Sequence, residues 1–274
     1  MRTQLTTLAI GLVSGIFSGA FGIGGGLVTT PAIRLILGAP ALVAVGTPLP
    51  VILPSAITGA YSYLRRGSAD LRAGIVLGLS GTLTAVLGAW VTQFVGGRIV
   101  LILTAALVLY TAADMVVQGF ALPNVATPAV ALDDGPVLGT APDPSLNRVS
   151  YGQLVVIGAV TGLYAGFLGL GGGFIIVPML TRWMRFDIKR AIGTSLIAIG
   201  ILAVPGTITH ALLGHVDWSI AFILIVGVVP GALLGARISL GSADRTIRLA
   251  FAGMLIVVGA WLALSELGLQ AWLS

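Results

Sequence analysis

The chain has 274 residues, of which 57% are hydrophobic and only 8% are charged. Soluble domains carry about 25% charged residues, so this composition excludes an ordinary soluble protein and indicates an integral membrane protein. The formal net charge is +5, but the basic residues lie mostly in short loops between apolar segments, which favours a role in membrane topology over nucleic-acid binding. There is no cysteine, so disulfides and cysteine metal sites are excluded.

A helix needs about 20 apolar residues to cross the hydrocarbon core of a bilayer. The sequence predicts six such helices, at residues 42–64, 71–95, 98–118, 189–212, 217–240 and 244–265. Two further apolar stretches, 5–37 and 152–184, are each divided by a run of glycines into two shorter arms of similar length. These arms favour re-entrant hairpins, with pairs of short full spans as the alternative.

The glycine run Gly22–Gly26 returns 147 positions later as Gly169–Gly173. The same offset pairs Pro31 with Pro178, Gly46-Thr47 with Gly193-Thr194, Asp70 with Asp217, and Arg98 with Arg245. A fixed offset without gaps indicates a duplicated unit. We therefore predict a first transmembrane repeat at 1–118, a flexible polar linker at 119–150 and a second transmembrane repeat at 151–274.

Basic residues are distributed in opposite ways in the loops of the two halves. The 38–43 loop has none and the 65–72 loop has three arginines, whereas in the second half the 182–190 segment is basic and the next loop is not. Positively charged loops stay in the cytoplasm, so corresponding loops should face opposite sides of the membrane. The prediction is an all-α polytopic membrane protein with two inverted-topology repeats, each a glycine-broken helical hairpin plus three transmembrane helices. Both termini are then predicted outside.

Backbone that leaves helical geometry at membrane depth is tolerated only where it is buried in protein or lines a cavity. Glycines that open a helix present free amide hydrogens and the positive end of the helix dipole, which together suit an anion. Each glycine run forms the tip of its hairpin, called here a glycine tip. If both glycine tips meet near the midplane, their amides and nearby hydroxyl groups could surround one small anion. The candidate substrate-binding residues are Gly24, Gly25, Gly26, Thr47, Gly171, Gly172, Gly173, Thr194 and Ser195.

Other glycines and charged residues have simpler interpretations. Close helix packing explains the glycines at four-residue spacing, which are Gly11, Gly15, Gly19, Gly158, Gly162 and Gly166. Asp70 and Asp217 precede apolar runs and are predicted helix N-caps. Asp114 and His210 lie near helix ends, where interfacial anchoring explains them. The predicted membrane centre then holds no acid, histidine or metal-ligand set, which argues against a proton relay, a cation site, a metal or a cofactor. No pattern resembles a catalytic triad or an ATP-hydrolysing motif, which argues against an enzyme or a primary pump.

The paired Gly-x-Gly-Gly-Gly segments, each followed by a proline and then by Gly-Thr, resemble the TauE/SafE family of sulfite and organosulfonate exporters, also called 4-toluene sulfonate uptake permeases. The resemblance covers roughly residues 5–265. It implies a secondary transporter of small sulfur-containing or related organic anions in the cytoplasmic (inner) membrane of a prokaryote.

The resemblance leaves the direction of transport, the exact substrate and the coupling ion open, with a proton and sodium as the candidates. The expected partners are the small anionic substrate and the lipid bilayer, with a homodimer as a further option and no nucleic acid. The alternatives are a passive anion channel, an importer of another small anion such as a carboxylate, and a membrane-embedded enzyme or scaffold without transport.

Overall fold

The computed structural model describes residues 2–92, 97–121, 150–168 and 171–266, and within these ranges it contains helices and no strand. The helices are α1 (Arg2–Phe21), α2 (Gly26–Leu35), α3 (Ala41–Gly46), α4 (Pro48–Arg65), α5 (Leu71–Thr92), α6 (Gly97–Ala121), α7 (Tyr151–Leu168), α8 (Gly173–Trp183), α9 (Ile188–Leu212), α10 (Trp218–Gly241) and α11 (Asp244–Glu266). The predicted all-α class is confirmed. Residues 119–121 of the predicted linker belong to α6, and residues 122–149 lie outside the described residues.

Five helical segments of the described chain are long and apolar enough to cross a membrane. They are Thr3–Phe21, Val43–Arg65, Leu71–Gly88, Ile188–Leu212 and Trp218–Gly241. Large apolar side chains on their outer faces are exposed, for example Leu83 at 76% and Val226 at 67%. A continuous apolar exterior is what lipid requires, so these helices support the predicted multi-pass membrane protein.

The predicted and observed spans agree in part. The predicted span 42–64 corresponds to the observed span Val43–Arg65, in which α3 passes to α4 at Thr47. Pro48 and Pro50 mark this passage, because prolines have no amide hydrogen to continue the helical ladder. The predicted spans 98–118 and 244–265 lie in α6 and α11, which are not among the five segments above. The arms of each glycine-broken segment are also unequal, with 20 residues in α1 against 10 in α2, and 18 in α7 against 11 in α8.

Glycines at four-residue spacing form the two most extensive helix contacts, α1 with α10 and α5 with α7. Cβ atoms added at Gly11, Gly15 and Gly19 would lie 2.5, 2.3 and 2.1 Å from the carbonyl oxygens of Leu224, Val228 and Ala232. Gly158, Gly162 and Gly166 approach Leu77, Gly81 and Ala85 in the same way. The packing prediction is confirmed for all six glycines. Residue numbers rise together in both pairs, so α1 runs parallel to α10 and α7 runs parallel to α5.

Ion pairs and caps show which loops lie at the same end of the bundle. Nη2 of Arg190 donates to Oδ2 of Asp70 at 2.8 Å, and Nζ of Lys189 donates to the Leu240 carbonyl at 3.1 Å. The α4–α5 loop, the start of α9 and the end of α10 therefore share one end, called here the basic end. At the opposite end, the start of α4 meets the start of α10 through a 3.1 Å hydrogen bond from the Asp217 amide to Oγ1 of Thr47.

The predicted duplication recurs in the starts of the helices. The pairs Gly26 and Gly173, and Leu71 and Trp218, are each 147 positions apart and begin α2 and α8, and α5 and α10. The N-cap prediction for the two aspartates is confirmed as well. Asp70 accepts from the Ala73 amide and Asp217 from the Ile220 amide, each at 3.0 Å.

Candidate functional site

Both glycine segments leave the helix through left-handed backbone. After α1 ends, Gly24 and Gly25 have φ angles of 76° and 77°, and before α8 begins, Gly171 and Gly172 have φ angles of 81° and 75°. Only glycine adopts these values without strain, which explains why a run of glycines and not merely small residues stands here. The last glycine of each run, Gly26 or Gly173, begins the following helix.

The structure brings the two glycine segments into direct contact. A Cβ added at Gly173 would lie 2.3 Å from the carbonyl oxygen of Gly22 in the other half. Ile52 and Ile199, which are themselves 147 positions apart, pack against the same place: a Cβ at Gly24 would lie 2.8 Å from Cγ2 of Ile199 and 3.1 Å from Cγ2 of Ile52. Both isoleucines are fully buried, so the tips meet in the interior of the bundle.

The backbone amides at these tips have no acceptor among the described residues. Within the described residues, Gly24 and Gly25 donate no backbone hydrogen bond, and neither do Gly171 and Gly172. The carbonyl of Gly25, in contrast, accepts from the amide of Thr29 at 3.0 Å. The carbonyl oxygens of Gly24 and Gly171 also accept no backbone hydrogen bond within the described residues, so the tips carry unpaired donors and unpaired acceptors together. The unpaired amide donors are the part that suits an anion.

Hydroxyl groups surround the first tip. Oγ of Ser195 lies 2.9 Å from the Gly22 carbonyl, so the structure places this predicted site residue at the tip. Ser14 and Thr29, which the sequence analysis did not select, both contact the Gly25 carbonyl, at 2.9 and 2.8 Å, and their hydroxyl oxygens are 2.5 Å apart. In the sequence, the only sign of these contacts is the spacing of the two residues from Gly25, which is 11 positions for Ser14 and 4 positions for Thr29.

Thr47 and Thr194 lie elsewhere and join the two halves of the protein. Oγ1 of Thr194 accepts from the Asp70 amide at 3.0 Å, and Oγ1 of Thr47 accepts from the Asp217 amide at 3.1 Å. The preceding glycine makes room for the facing loop, since a Cβ at Gly46 would lie 2.4 Å from the His215 carbonyl oxygen. Each Gly-Thr pair therefore holds a loop of the opposite half, and these two hydroxyls are not brought to the glycine tips.

A polar cluster at the basic end was missed by the sequence analysis. Asp114 pairs with Arg182 and accepts from Nε2 of Gln118 at 2.6 Å, while Oε1 of Gln118 accepts from Nη1 of Arg248 at 2.5 Å. The side chain of Asp114 is only 11% exposed and belongs to this cluster, which its interpretation as an interfacial anchor did not include. The i,i+4 spacing of Asp114 and Gln118 on one helix face was the pattern that could have revealed the cluster.

A pair of histidines and an apolar groove lie outside the predicted site. The ring centroid of His210, near the end of α9, lies 5.5 Å from that of His215. The described ranges contain no group of three or more side chains suited to a metal ion. A groove of about 190 Å³ between α2 and α11 is lined almost entirely by apolar atoms, and its residues are Val28, Pro31, Ala32, Ile36, Val257, Val258 and Trp261. It contains none of the predicted site residues.

A bundle of apolar helices with two inward-facing glycine breaks defines a multi-pass membrane protein with a buried polar site. The sequence pattern of the family described as "Sulfite exporter TauE/SafE" matches residues 7–262, and the chain belongs to that family. It is 25% identical to the "Probable membrane transporter protein YunE" of Bacillus subtilis (strain 168), over 93% of this chain and 95% of the relative. It is 28% identical to a "Probable membrane transporter protein" of Xylella fastidiosa (strain 9a5c), over 87% and 86%. No solved structure matches the chain.

Family membership over nearly the whole chain makes this protein a membrane transporter. The predicted resemblance to the TauE/SafE family is thereby confirmed.

Proposed function

We propose that the protein is a secondary transporter of small anions, with sulfite, organosulfonates and related oxyanions as the substrate class. The observation that carries this proposal is the pair of buried glycine tips whose amides find no acceptor among the described residues. Amide hydrogens at two helix starts hold an anion without a charged side chain, which keeps binding weak enough for release. The family description, which names sulfite export, supports the same substrate class.

Transport would proceed by alternating access between two inverted repeats. The helix directions support this arrangement, because α1 runs parallel to α10, α7 runs parallel to α5, and α5 begins at the basic end, where α10 finishes. The two hairpins then enter from opposite ends, as an inverted repeat requires. Since the tips are closely packed on Ile52 and Ile199, a bound anion needs these two side chains to move apart, so the structure corresponds to a closed state in this mechanism.

The proposed location is the cytoplasmic membrane of a prokaryote, with the basic end facing the cytoplasm. The ion pairs of Arg190 and Lys189 place the basic loops of both halves at that end, and cytoplasmic loops are the ones enriched in lysine and arginine. Both chain termini would then be outside.

Substitutions at the tips test the proposal against matched glycines elsewhere. Gly24→Ala and Gly171→Ala add a methyl group where Ile52 or Ile199 already lies within 3.3 Å. Gly38→Ala provides the control, because Gly38 has a similar φ of 66° and nothing within 4 Å of an added Cβ. All three variants carry the same backbone strain of about 1–2 kcal/mol. The tip variants therefore differ from the control in the steric contact of the added methyl group.

The assay is counterflow of ³⁵S-labelled sulfite in proteoliposomes, with the folded fraction measured by size-exclusion chromatography. We expect saturable counterflow in the parent and in Gly38→Ala, and its loss in folded Gly24→Ala and Gly171→Ala. Unchanged flux in the tip variants would refute the site. Single-channel currents without counterflow would establish the passive anion channel instead.

A further inference from the structure

Arg248 is a buried cation without a direct ion-pair partner among the described residues. It lies in the second turn of α11 and is only 8% exposed. Its Nη1 donates to the neutral amide oxygen of Gln118 at 2.5 Å, and its Nε is buried without a hydrogen-bond partner. An arginine stays charged in proteins, and a buried charge is strongly destabilising unless an opposite charge accompanies it.

No neighbouring carboxylate in the described part of the chain forms a direct ion pair with Arg248. Asp114 pairs with Arg182, and Asp244 is 3.9 Å from Nζ of Lys189. Asp187 stands at the N-cap position of α9, where its exposed side chain makes no capping hydrogen bond. These three carboxylates act on Arg248 electrostatically, but among the described residues no carboxylate oxygen lies within 4.0 Å of it. Within these residues the positive charge of Arg248 is therefore compensated only at longer range.

A second arginine without a direct ion pair lies beside Arg248. Arg245 precedes Arg248 by three residues, so both guanidinium groups lie on one face of α11. Its Nε is also buried without a hydrogen-bond partner, and its Cζ lies 5.8 Å from the centre of the Phe120 ring of α6. The buried hydroxyl of Thr181, 3.3 Å from Oε1 of Gln118, completes the surroundings.

We propose that Arg248, with Arg245 beside it, binds a small oxyanion at the basic end of the bundle, as a second anion site separate from the glycine tips. This inference rests on the proposed function, because the anion would be the transported substrate on its way between the tips and the cytoplasm. Sulfite, sulfonate and carboxylate groups present two or more oxygens in the geometry that a guanidinium fork matches. Gln118 holds the fork of Arg248 in place through its amide oxygen.

The decisive variant exchanges a carboxylate and an amide without changing the total charge. Asp114→Asn combined with Gln118→Glu moves the single negative charge from Arg182, which is 59% exposed, to the buried Arg248. The variant then carries its own counter-ion where the anion would bind. We expect the ligand-free variant to unfold at a temperature equal to or higher than that of the parent, and sulfite binding at this site to weaken by about tenfold or more.

Binding is measured by isothermal titration calorimetry and thermal shift in detergent with sodium sulfite, sodium acetate and sodium chloride at equal ionic strength. Arg248→Gln should weaken sulfite binding like the double variant, whereas Arg72→Gln, which removes an exposed arginine, should not. Short-chain phosphatidylglycerol is tested in parallel. If it stabilises the parent and sulfite does not, the site belongs to a lipid headgroup and the proposal is wrong.

Transport from each side separates this inference from the function on which it rests. In proteoliposomes sorted by orientation, the double variant should have a raised KM for sulfite presented at the basic end and an unchanged KM at the other end. Loss of all flux in the glycine-tip variants with normal behaviour of the double variant would leave the proposed function intact and overturn the second site. If the double variant weakens sulfite binding but the parent protein shows no counterflow, the second site stands and the proposed function is wrong.

Discussion

Replacing the two threonines that join the halves by valine distinguishes a structural role from substrate binding. Thr194→Val and Thr47→Val keep the shape of the side chain and remove the oxygen that accepts from the Asp70 or Asp217 amide, at 3.0 and 3.1 Å. Each change leaves one amide hydrogen without its partner where two halves of the protein meet. We therefore expect lower stability and unchanged affinity for the transported anion.

The expected magnitude follows from the surroundings of the two amides. An unpaired buried donor costs about 1–3 kcal/mol, and because both bonds are only partly buried, the lower limit of about 1 kcal/mol applies to each. For a chain of this size, 1 kcal/mol lowers the melting temperature by about 2–4 °C. The two sites lie at opposite ends of the bundle and share no partner, so the double variant should lose about the sum of the two effects.

Thermal unfolding in detergent and sulfite titration of the same samples provide the measurement. Thr47→Ser and Thr194→Ser keep the hydroxyl and should restore most of the lost stability. Thr209→Val is the matched control, because the exposed Thr209 hydroxyl bonds only to the Pro205 carbonyl of its own helix. A valine variant with the parental melting temperature and weakened sulfite binding would refute the structural role and support these hydroxyls as substrate ligands.

Three further outcomes are expected. Gly15→Ala and Gly162→Ala place a Cβ 2.3 and 2.0 Å from carbonyl oxygens of the neighbouring helix, so each should lower the free energy of unfolding by about 1–3 kcal/mol. The control Gly253→Ala, whose Cβ meets nothing within 4 Å, should not, and equal melting temperatures of all three variants would contradict the packing. Ser195→Ala removes the 2.9 Å hydrogen bond to the Gly22 carbonyl and should lower the free energy of unfolding by about 1 kcal/mol in thermal unfolding. The control Ser242→Ala, which removes an exposed hydrogen bond, should lower it less, and equal losses would show that Ser195 does not hold the tip. Because the chain has no cysteine, Arg66→Cys and Leu213→Cys can be labelled individually, and a membrane-impermeant maleimide should reach only Leu213→Cys in intact cells. Labelling of both variants from outside would contradict the placement of these two residues at opposite ends of the bundle.

Features that repeat along the chain could be predicted from sequence, because duplication reveals which residues the backbone itself requires. The glycine runs coincide with left-handed backbone at Gly24, Gly25, Gly171 and Gly172. The four-residue glycine spacing identified the closely packed helix faces, and the paired aspartates identified two N-caps. In each case the physical requirement is local: a positive φ, a missing side chain or an acceptor within one turn.

Features that depend on pairing between halves could not be predicted in the same way. Gly-Thr recurs in both halves as regularly as the glycine runs, and recurrence alone does not distinguish a hydroxyl near a substrate from one that accepts from Asp70 or Asp217 more than 120 positions away. The cluster of Asp114, Gln118 and Arg248 was also hidden, since it joins α6 to α11 and has no counterpart at the same offset. When each helix is considered alone, its charged residues are assigned to separate helix ends, although here residues of three helices meet at the basic end of the bundle.

The two halves share the residues that shape the backbone and differ in the side chains around it. Around the first tip, Ser14, Ser18, Thr29 and Ser55 supply buried hydroxyls, with Oγ of Ser55 2.5 Å from Oγ of Ser18. At the same offset, the second tip has Thr161, Ala165, Ile176 and Leu202. Of these, only Thr161 has a hydroxyl, and its oxygen is buried without a hydrogen-bond partner in the described residues.

This difference matters for a transporter with inverted repeats. If the halves were identical, the states open to either side would have equal free energy, because exchanging the conformations of the repeats would convert one state into the other. A hydroxyl-rich tip and an apolar tip remove this equality, since opening one of them breaks hydrogen bonds and opening the other exposes mainly apolar surface. In the proposed function, the resting preference for one side of the membrane therefore originates in the hydroxyl groups around Gly25 and not in the glycines that both halves share.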